Sequence, residues 1–248
     1  MRYHIDTIPV WDAVKAKRGC PLCYLRTDIE EKDVDRFLGG SVMDPDTRIR
    51  VNEKGFCRRH HKMLYARQNR LGHALMMDSC MIETSARFER ILDEATKQNP
   101  AKRAFRLPGV KRAEGSDATL EKLRALSSSC VLCDSIEENL KRYRYTIAYL
   151  FKTDRAFREA FPGMGFCLDC IGPLVEMAGE ELSGEDMRAF LTALKDGTGK
   201  LLREEEKNLK NFTLLFDYRN AGKTIEGTKG ALEKAVNSLR GKCLEEPD

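Results

Sequence analysis

Cys20-Pro21-Leu22-Cys23 and Gly55-Phe56-Cys57-Arg58-Arg59-His60 recur later in the chain as Cys130-Val131-Leu132-Cys133 and Gly165-Phe166-Cys167-Leu168-Asp169-Cys170. Every ligand-type residue of the second set stands 110 residues after its counterpart. Leu22/Leu132, Asp44/Asp154, Arg48/Arg158 and Leu64/Leu174 match at the same offset. Agreement at a single ungapped offset points to duplication. It also turns two ambiguous cysteine pairs into two sets of four ligands.

Zinc accepts four sulfur or nitrogen ligands tetrahedrally, and the tight turn of Cys-x-x-Cys lets both sulfurs reach one ion. The spacing predicts one zinc at Cys20, Cys23, Cys57 and His60, and a second at Cys130, Cys133, Cys167 and Cys170. In both copies 33 residues separate the halves, more than the roughly 15–20 of common zinc ribbons. A helix out and a loop back would make the ion the clamp of a hairpin. His60 aligns with Cys170, whereas His61 aligns with Ile171, which selects His60 as the ligand. Four protein ligands leave no position for a reacting water, so the ions are expected to be structural. Iron can also occupy so sulfur-rich a site.

The surrounding pattern is helical. Leu132, Ile136, Leu140, Tyr143, Ile147 and Leu150 step by three and four residues. In the first copy Leu22, Leu25, Ile29 and Phe37 do so more loosely before Gly39-Gly40, with a loop expected through Asp44-Pro45-Asp46. Leu64, Leu71, Leu75, Ile82, Phe88 and Leu92 mark a long helix after the first Gly-Phe-Cys turn. After the second, Gly172-Pro173 and Gly179 are expected to shorten the helix, and Ser183-Gly184-Glu185-Asp186 resembles a capping box. The longest helix follows, from Met187 to Phe212, with Gly197 and Gly199 expected to bend it. The expected fold is mainly α: two pseudo-repeated helical hairpin units, each clamped by a Cys/His metal site, plus long C-terminal helices. The divisions fall at 1–98 (first unit), 99–117 (basic linker), 118–220 (second unit) and 221–248 (C-terminal helix and tail).

Composition agrees with a globular chain, 42% hydrophobic and 33% charged. No apolar run approaches the roughly 20 residues needed to cross a bilayer, and the N-terminus lacks a signal-peptide core. The expected compartment is the cytoplasm, where thiols stay reduced and paired cysteines bind metal or do redox chemistry. Of nine cysteines, only Cys80 and Cys243 fall outside the two sets, as a buried thiol and a tail thiol. Seven thiolates and two zinc ions would bring the formal charge from +4 to +1, which removes most of the general attraction for nucleic acid. Phosphate-binding loops, nucleophile elbows and His-Glu-x-x-His are absent from the sequence. Arg142, Arg144, Lys152, Arg155 and Arg158 read as a solvated face, as do Glu204 to Glu206. Asp217, Tyr218 and Arg219 are weak candidates for a cleft.

Tyr3-His4-Ile5-Asp6-Thr7-Ile8-Pro9-Val10-Trp11-Asp12, the Cys-Pro-Leu-Cys and Gly-Phe-Cys-Arg-Arg-His motifs, and Phe216-Asp217-Tyr218-Arg219-Asn220 resemble, in this order, a family of uncharacterised bacterial proteins. That family occurs mainly in anaerobic Firmicutes and is catalogued as a domain of unknown function. The resemblance covers nearly the whole chain and implies a cytosolic protein with a duplicated cysteine framework. It brings no activity. It also implies a Gly-Phe-Cys-x-x-His ending in the second copy, from which Cys170 departs.

The sequence therefore points away from an enzyme and toward a zinc-binding helical protein that engages an unknown protein partner and no membrane. One alternative is a thiol redox protein cycling its Cys-x-x-Cys pairs, whose thiols would be activated at helix starts. Another is nucleic-acid binding through the basic linker and the helix region Arg142 to Arg158.

Overall fold

Proline at a first helical turn loses no hydrogen bond, and Pro21 opens a helix immediately after Cys20. This helix, α2 (Pro21–Leu38), follows α1 (Tyr3–Ala16) in a computed structural model that describes residues 3–98, 114–220 and 222–247. A 3-10 turn at Gly40–Met43 leads to α3 (Pro45–Lys54), α4 (Arg58–Ala66) and α5 (Arg70–Gln98). Then come α6 (Glu114–Ser128), α7 (Val131–Thr153), α8 (Arg155–Ala160), α9 (Leu168–Glu181), α10 (Gly184–Leu214) and α11 (Ala231–Arg240). The protein is mainly α, with no strand among the described residues. No helix among them is long and apolar enough to cross a membrane.

Three helices of the second half begin 110 residues after a helix of the first: α7 after α2, α8 after α3 and α9 after α4. The local causes repeat as well. Asp44 caps α3 by accepting from the Thr47 N–H at 2.9 Å. Asp154 caps α8 by accepting from Ala156 and Phe157. Such caps satisfy N–H groups that the helix itself leaves unpaired. The expected loop through Asp44-Pro45-Asp46 is thus the capped start of a helix.

The chain divides into two compact units, Met1–Ile29 with Glu138–Asp248, and Glu30–Glu137. This division differs from the expected 1–98 and 118–220, because the boundaries fall inside α2 and α7 rather than at a linker. The expected basic linker lies outside the described residues through 113, and from Glu114 the backbone is already α6.

In the Glu30–Glu137 unit the core gathers Val34, Phe37, Val51, Phe56, Leu64, Met76 and Leu132. The α5 residues buried in it are Met76 and Cys80, one turn apart, with Met77 packed against it. Leu71, Leu75, Ile82, Phe88 and Leu92, the expected stripe, are exposed. The expected single helix is also broken between Ala66 and Arg70. The other unit is aromatic at its centre: Phe161 meets Phe190 at 4.9 Å and Phe151 at 5.1 Å, and Trp11 stands edge-on to Phe157. There α10 runs unbroken past Gly197, where a Cβ would lie 2.1 Å from the Met164 carbonyl oxygen. That glycine admits a neighbouring backbone. Neither Gly172-Pro173 nor Gly179 ends α9, which is longer than α4. Ser183 does stand at the N-cap of α10, but its hydroxyl caps nothing.

Candidate metal centres

Each Cys-x-x-Cys spans a helix start. Cys20 precedes α2 and Cys130 precedes α7, so Cys23 and Cys133 sit in the first turns. Each Gly-Phe-Cys also ends at a helix start, with Cys57 and Cys167 as the N-cap residues of α4 and α9. All eight expected ligands therefore lie at helix N-termini, where free N–H groups and the helix dipole favour thiolate.

The eight residues assemble into two tetrads, and the pairing is crossed. Cys20 and Cys23 meet Cys167 and Cys170 in one unit; Cys57 and His60 meet Cys130 and Cys133 in the other. Within each tetrad all four ligand atoms lie within 4.8 Å of one another. The expected pairing within each sequence copy is corrected: each Cys-x-x-Cys closes on the second half of the other copy. The reason lies in the helix lengths. At 1.5 Å per residue α2 carries the chain about 27 Å onward and α3 spans only about 15 Å. The out-and-back path that would close a hairpin on its own metal does not return to its start.

The spacing of the ligand atoms fits a tetrahedral ion. Zn–S bonds of about 2.3 Å and Zn–N bonds of about 2.0–2.1 Å give S···S edges near 3.8 Å and S···N edges near 3.5 Å. Cys23 Sγ lies 3.4 Å from Cys167 Sγ and 3.8 Å from Cys170 Sγ. Cys57 Sγ is 3.7 Å from Cys133 Sγ. His60 Nδ1 is 3.2, 3.3 and 3.5 Å from the sulfurs of Cys130, Cys57 and Cys133. These separations are far too long for disulfides, whose sulfurs are about 2.05 Å apart.

Electrostatics point the same way. Within the all-cysteine tetrad the neighbouring sulfurs push Cys20 and Cys170 well above the usual thiol range and draw Cys23 and Cys167 below it. In the mixed tetrad Cys133 is pushed up to about 12, by burial and by Cys130. Without a cation, neither the four thiols of the first tetrad nor the three of the second can all ionise at this separation. A dication removes the conflict.

The mixed tetrad has a support that the sequence did not disclose. Buried Glu30 faces His60 Nε2 at 3.1 Å, while Nδ1 faces the sulfurs. Arg59 donates to both oxygens of the same carboxylate, at 2.7 and 2.5 Å. Burial would raise Glu30, but His60 and Arg59 outweigh it and hold the carboxyl at about 2. This is the carboxylate–histidine arrangement that fixes the tautomer of a metal-binding imidazole. Its signal was weak: Glu30 is one acid among many on α2.

The Gly-Phe-Cys turns are set by different contacts. Gly55 has φ +62°, ψ −157°, and its carbonyl accepts from the Val131 N–H at 3.0 Å. Ser129 Oγ donates to the Lys54 carbonyl beside it. A Cβ on Gly165 would lie 2.6 Å from a Leu201 methyl of α10. At the all-cysteine tetrad the Lys242 N–H points at Cys23 Sγ, 3.4 Å away.

Other sequence candidates resolve plainly. His61 and His73 stack on each other at 5.4 Å, edge-on to Phe56, outside the tetrad. Cys80 is buried and Cys243 exposed, as expected. Tyr218 is 86% exposed, and Arg219 pairs locally with Asp217. Arg142 and Arg158 pair with Asp6 and Asp186, and Arg144 is buried, so the expected solvated face is largely engaged. Glu205 is buried, contrary to the surface position expected.

Sequence comparison places the whole framework in context. The model of a family described as "Family of unknown function (DUF6062)" matches residues 1–246. An "Uncharacterized 23.9 kDa protein in xynA 3'region" of Caldicellulosiruptor sp. (strain Rt8B.4) is 26% identical over 205 residues, covering 81% of this chain and 84% of that protein. No solved structure matches the chain.

Proposed function

We propose, from the premise that this chain belongs to the DUF6062 family of unknown function, that it is a zinc-binding helical protein with two structural ions. Its helices then present a surface to a partner. The observation that carries this reading is the set of S···S and S···N separations, which matches the edges of two zinc tetrahedra. Two sites of four protein ligands each favour a structural over a catalytic role. Binding energy at such sites is folding energy, because the ligands are gathered only in the folded chain. A reducing compartment keeps the thiols available.

The test is elemental analysis and absorption spectroscopy on protein purified without oxygen, beside Cys23→Ser and Cys133→Ser. Two zinc per chain, no visible absorption and the loss of one ion in each variant are expected. Iron with visible absorption in the all-sulfur site would replace zinc there and move the argument to electron transfer. Absence of metal from fresh, reduced protein would overturn the reading in favour of thiol redox chemistry.

A further inference from the structure

We infer that the exposed face of α4, formed by Arg58, Lys62 and Tyr65 with Arg70 laid over the tyrosine ring, binds single-stranded nucleic acid. The inference goes beyond the structural-metal reading and uses from it only that α4 is held at its start.

Helical periodicity sets the face. His60 and Leu64 are one turn apart and buried. Arg58, Lys62 and Tyr65, at steps of four and three, lie on the opposite side and are exposed. Tyr65 is 57% exposed, so its ring contributes little to the core. The Arg70 guanidinium sits 3.7 Å from the ring centroid and covers only one of its faces. Arg59 and Arg67 are engaged by Glu30 and Asp35. Arg58, Lys62 and Arg70 have no ion pair among the described residues. Three cations without an ion pair among the described residues share this surface with one aromatic ring.

The second copy shows that the scaffold does not require them. α9 begins at the same kind of cysteine N-cap and buries Leu174 where α4 buries Leu64. At the positions of Arg58, Lys62, Tyr65 and Arg70 it carries Leu168, Gly172, Val175 and Glu180. A helix can therefore start on a tetrad and pack without this basic stripe. Of these two helices only α4 carries the stripe, and its chemistry is that of a polyanion site.

Nucleic acid fits better than an anionic membrane. An interfacial helix needs an apolar face to bury among lipid chains, and beside the cations this face offers only Tyr65 and Ala66. A partly exposed ring beside cations is what stacks an unpaired base while the cations hold phosphates. That selects a single strand over a duplex, whose bases are already stacked.

The test is fluorescence anisotropy with labelled DNA and RNA strands of about 12 nucleotides, and with the matching duplexes, between about 50 and 200 mM salt. Arg58→Ala/Lys62→Ala is expected to weaken single-strand binding at least about tenfold and to reduce the salt slope by about 1.4, or 0.7 per phosphate contact. Tyr65→Ala should weaken single strands at least about fivefold and leave duplex binding unchanged. Lys141→Ala/Lys152→Ala, exposed cations of α7, should change neither. No binding at the lowest salt, an equal loss in the α7 variant, or stronger retention on phosphatidylserine vesicles than on oligonucleotides would overturn the inference. Zinc content and helical circular dichroism are measured on every sample. Full zinc without oligonucleotide binding sinks this inference and leaves the metal reading standing; oligonucleotide binding by protein that never held zinc does the reverse.

Discussion

The two tetrads are assembled from the same kind of half-sites, yet they are sheltered differently. In the all-cysteine tetrad Cys20, Cys23 and Cys167 are buried, and the polar contact from outside is a backbone N–H, from Lys242 to Cys23. In the mixed tetrad Cys133 is exposed, and a side-chain network of Glu30 and Arg59 stands behind His60. With zinc bound, the first would carry two net negative charges and the second one. The more highly charged site is the more buried one, so its thiolates lean on backbone N–H groups and helix N-termini. The less charged site sits nearer water and leans on a charged second layer. A shared ligand framework thus leaves the surroundings free to diverge.

The largest effect tests the crossing that makes the comparison possible. Cys20→Ser/Cys167→Ser removes two ligands from one tetrad and should cost one zinc per chain. Cys20→Ser/Cys57→Ser removes one ligand from each and should cost both. If each sequence copy closed on its own ion, the two results would be exchanged. Metal analysis after gel filtration reads the difference directly.

The supporting layer gives the next largest effect. Glu30→Gln keeps the shape but removes the charge that orients His60 and holds Arg59. Zinc affinity of the mixed tetrad should fall about 10- to 100-fold, while the all-cysteine tetrad is unchanged. Chelator competition would show two steps moving apart. Equal weakening of both steps, or of neither, would mean that Glu30 does not tune the site.

The paired glycines come third. Gly55 occupies a backbone region essentially reserved for glycine, so Gly55→Ala should cost about 1–3 kcal/mol. Gly165→Ala should cost a similar amount, about 1–3 kcal/mol from overpacking against Leu201. The causes separate in double variants. Adding Leu201→Ala should recover part of the loss at Gly165, whereas strain at Gly55 is local to its own dihedral angles. Denaturant unfolding of the four proteins makes the comparison.

Much of this was legible in the sequence because it depends on local rules. The eight residues of the two tetrads and the helical class follow from spacing and periodicity. The pairing did not, because a one-dimensional offset is the same whether a half-site closes on its own copy or on the other. The lengths of α2 and α3 decide, and α3 was expected as a loop. The α5 register was missed for a related reason. Leu71, Leu75 and Ile82 are strongly apolar, but Gly72, Met76 and Cys80 fit the core; a Cβ at Gly72 would lie 3.0 Å from Val42. Close approach selected the smaller and softer residues, and hydrophobicity alone ranks them lower. Glu30 was unreadable because its role comes from a histidine 30 residues away.

Two buried glutamates extend the contrast between the units and give the smallest effect. Glu30 has partners on both oxygens and is held low. Glu205, on α10, is also buried, but its Oε2 has no hydrogen-bond partner in the protein. Burial raises it from its ordinary value, against the opposing pull of Lys234. For an acid whose folded pKa is raised, the unfolded chain releases its proton first, so ionisation costs stability as pH climbs through the carboxylate range. Glu205→Gln should therefore stabilise the protein at neutral pH by roughly 1 kcal/mol, the low end for an unpartnered buried acceptor. The gain should shrink as pH falls through the carboxylate range and the wild-type carboxyl takes up its proton. Thermal midpoints of the two proteins across that range test the sign. A variant that is less stable at neutral pH would mean that the Glu205 charge is held by a favourable contact with Lys234, and that each unit keeps its buried carboxylate for the attraction it makes.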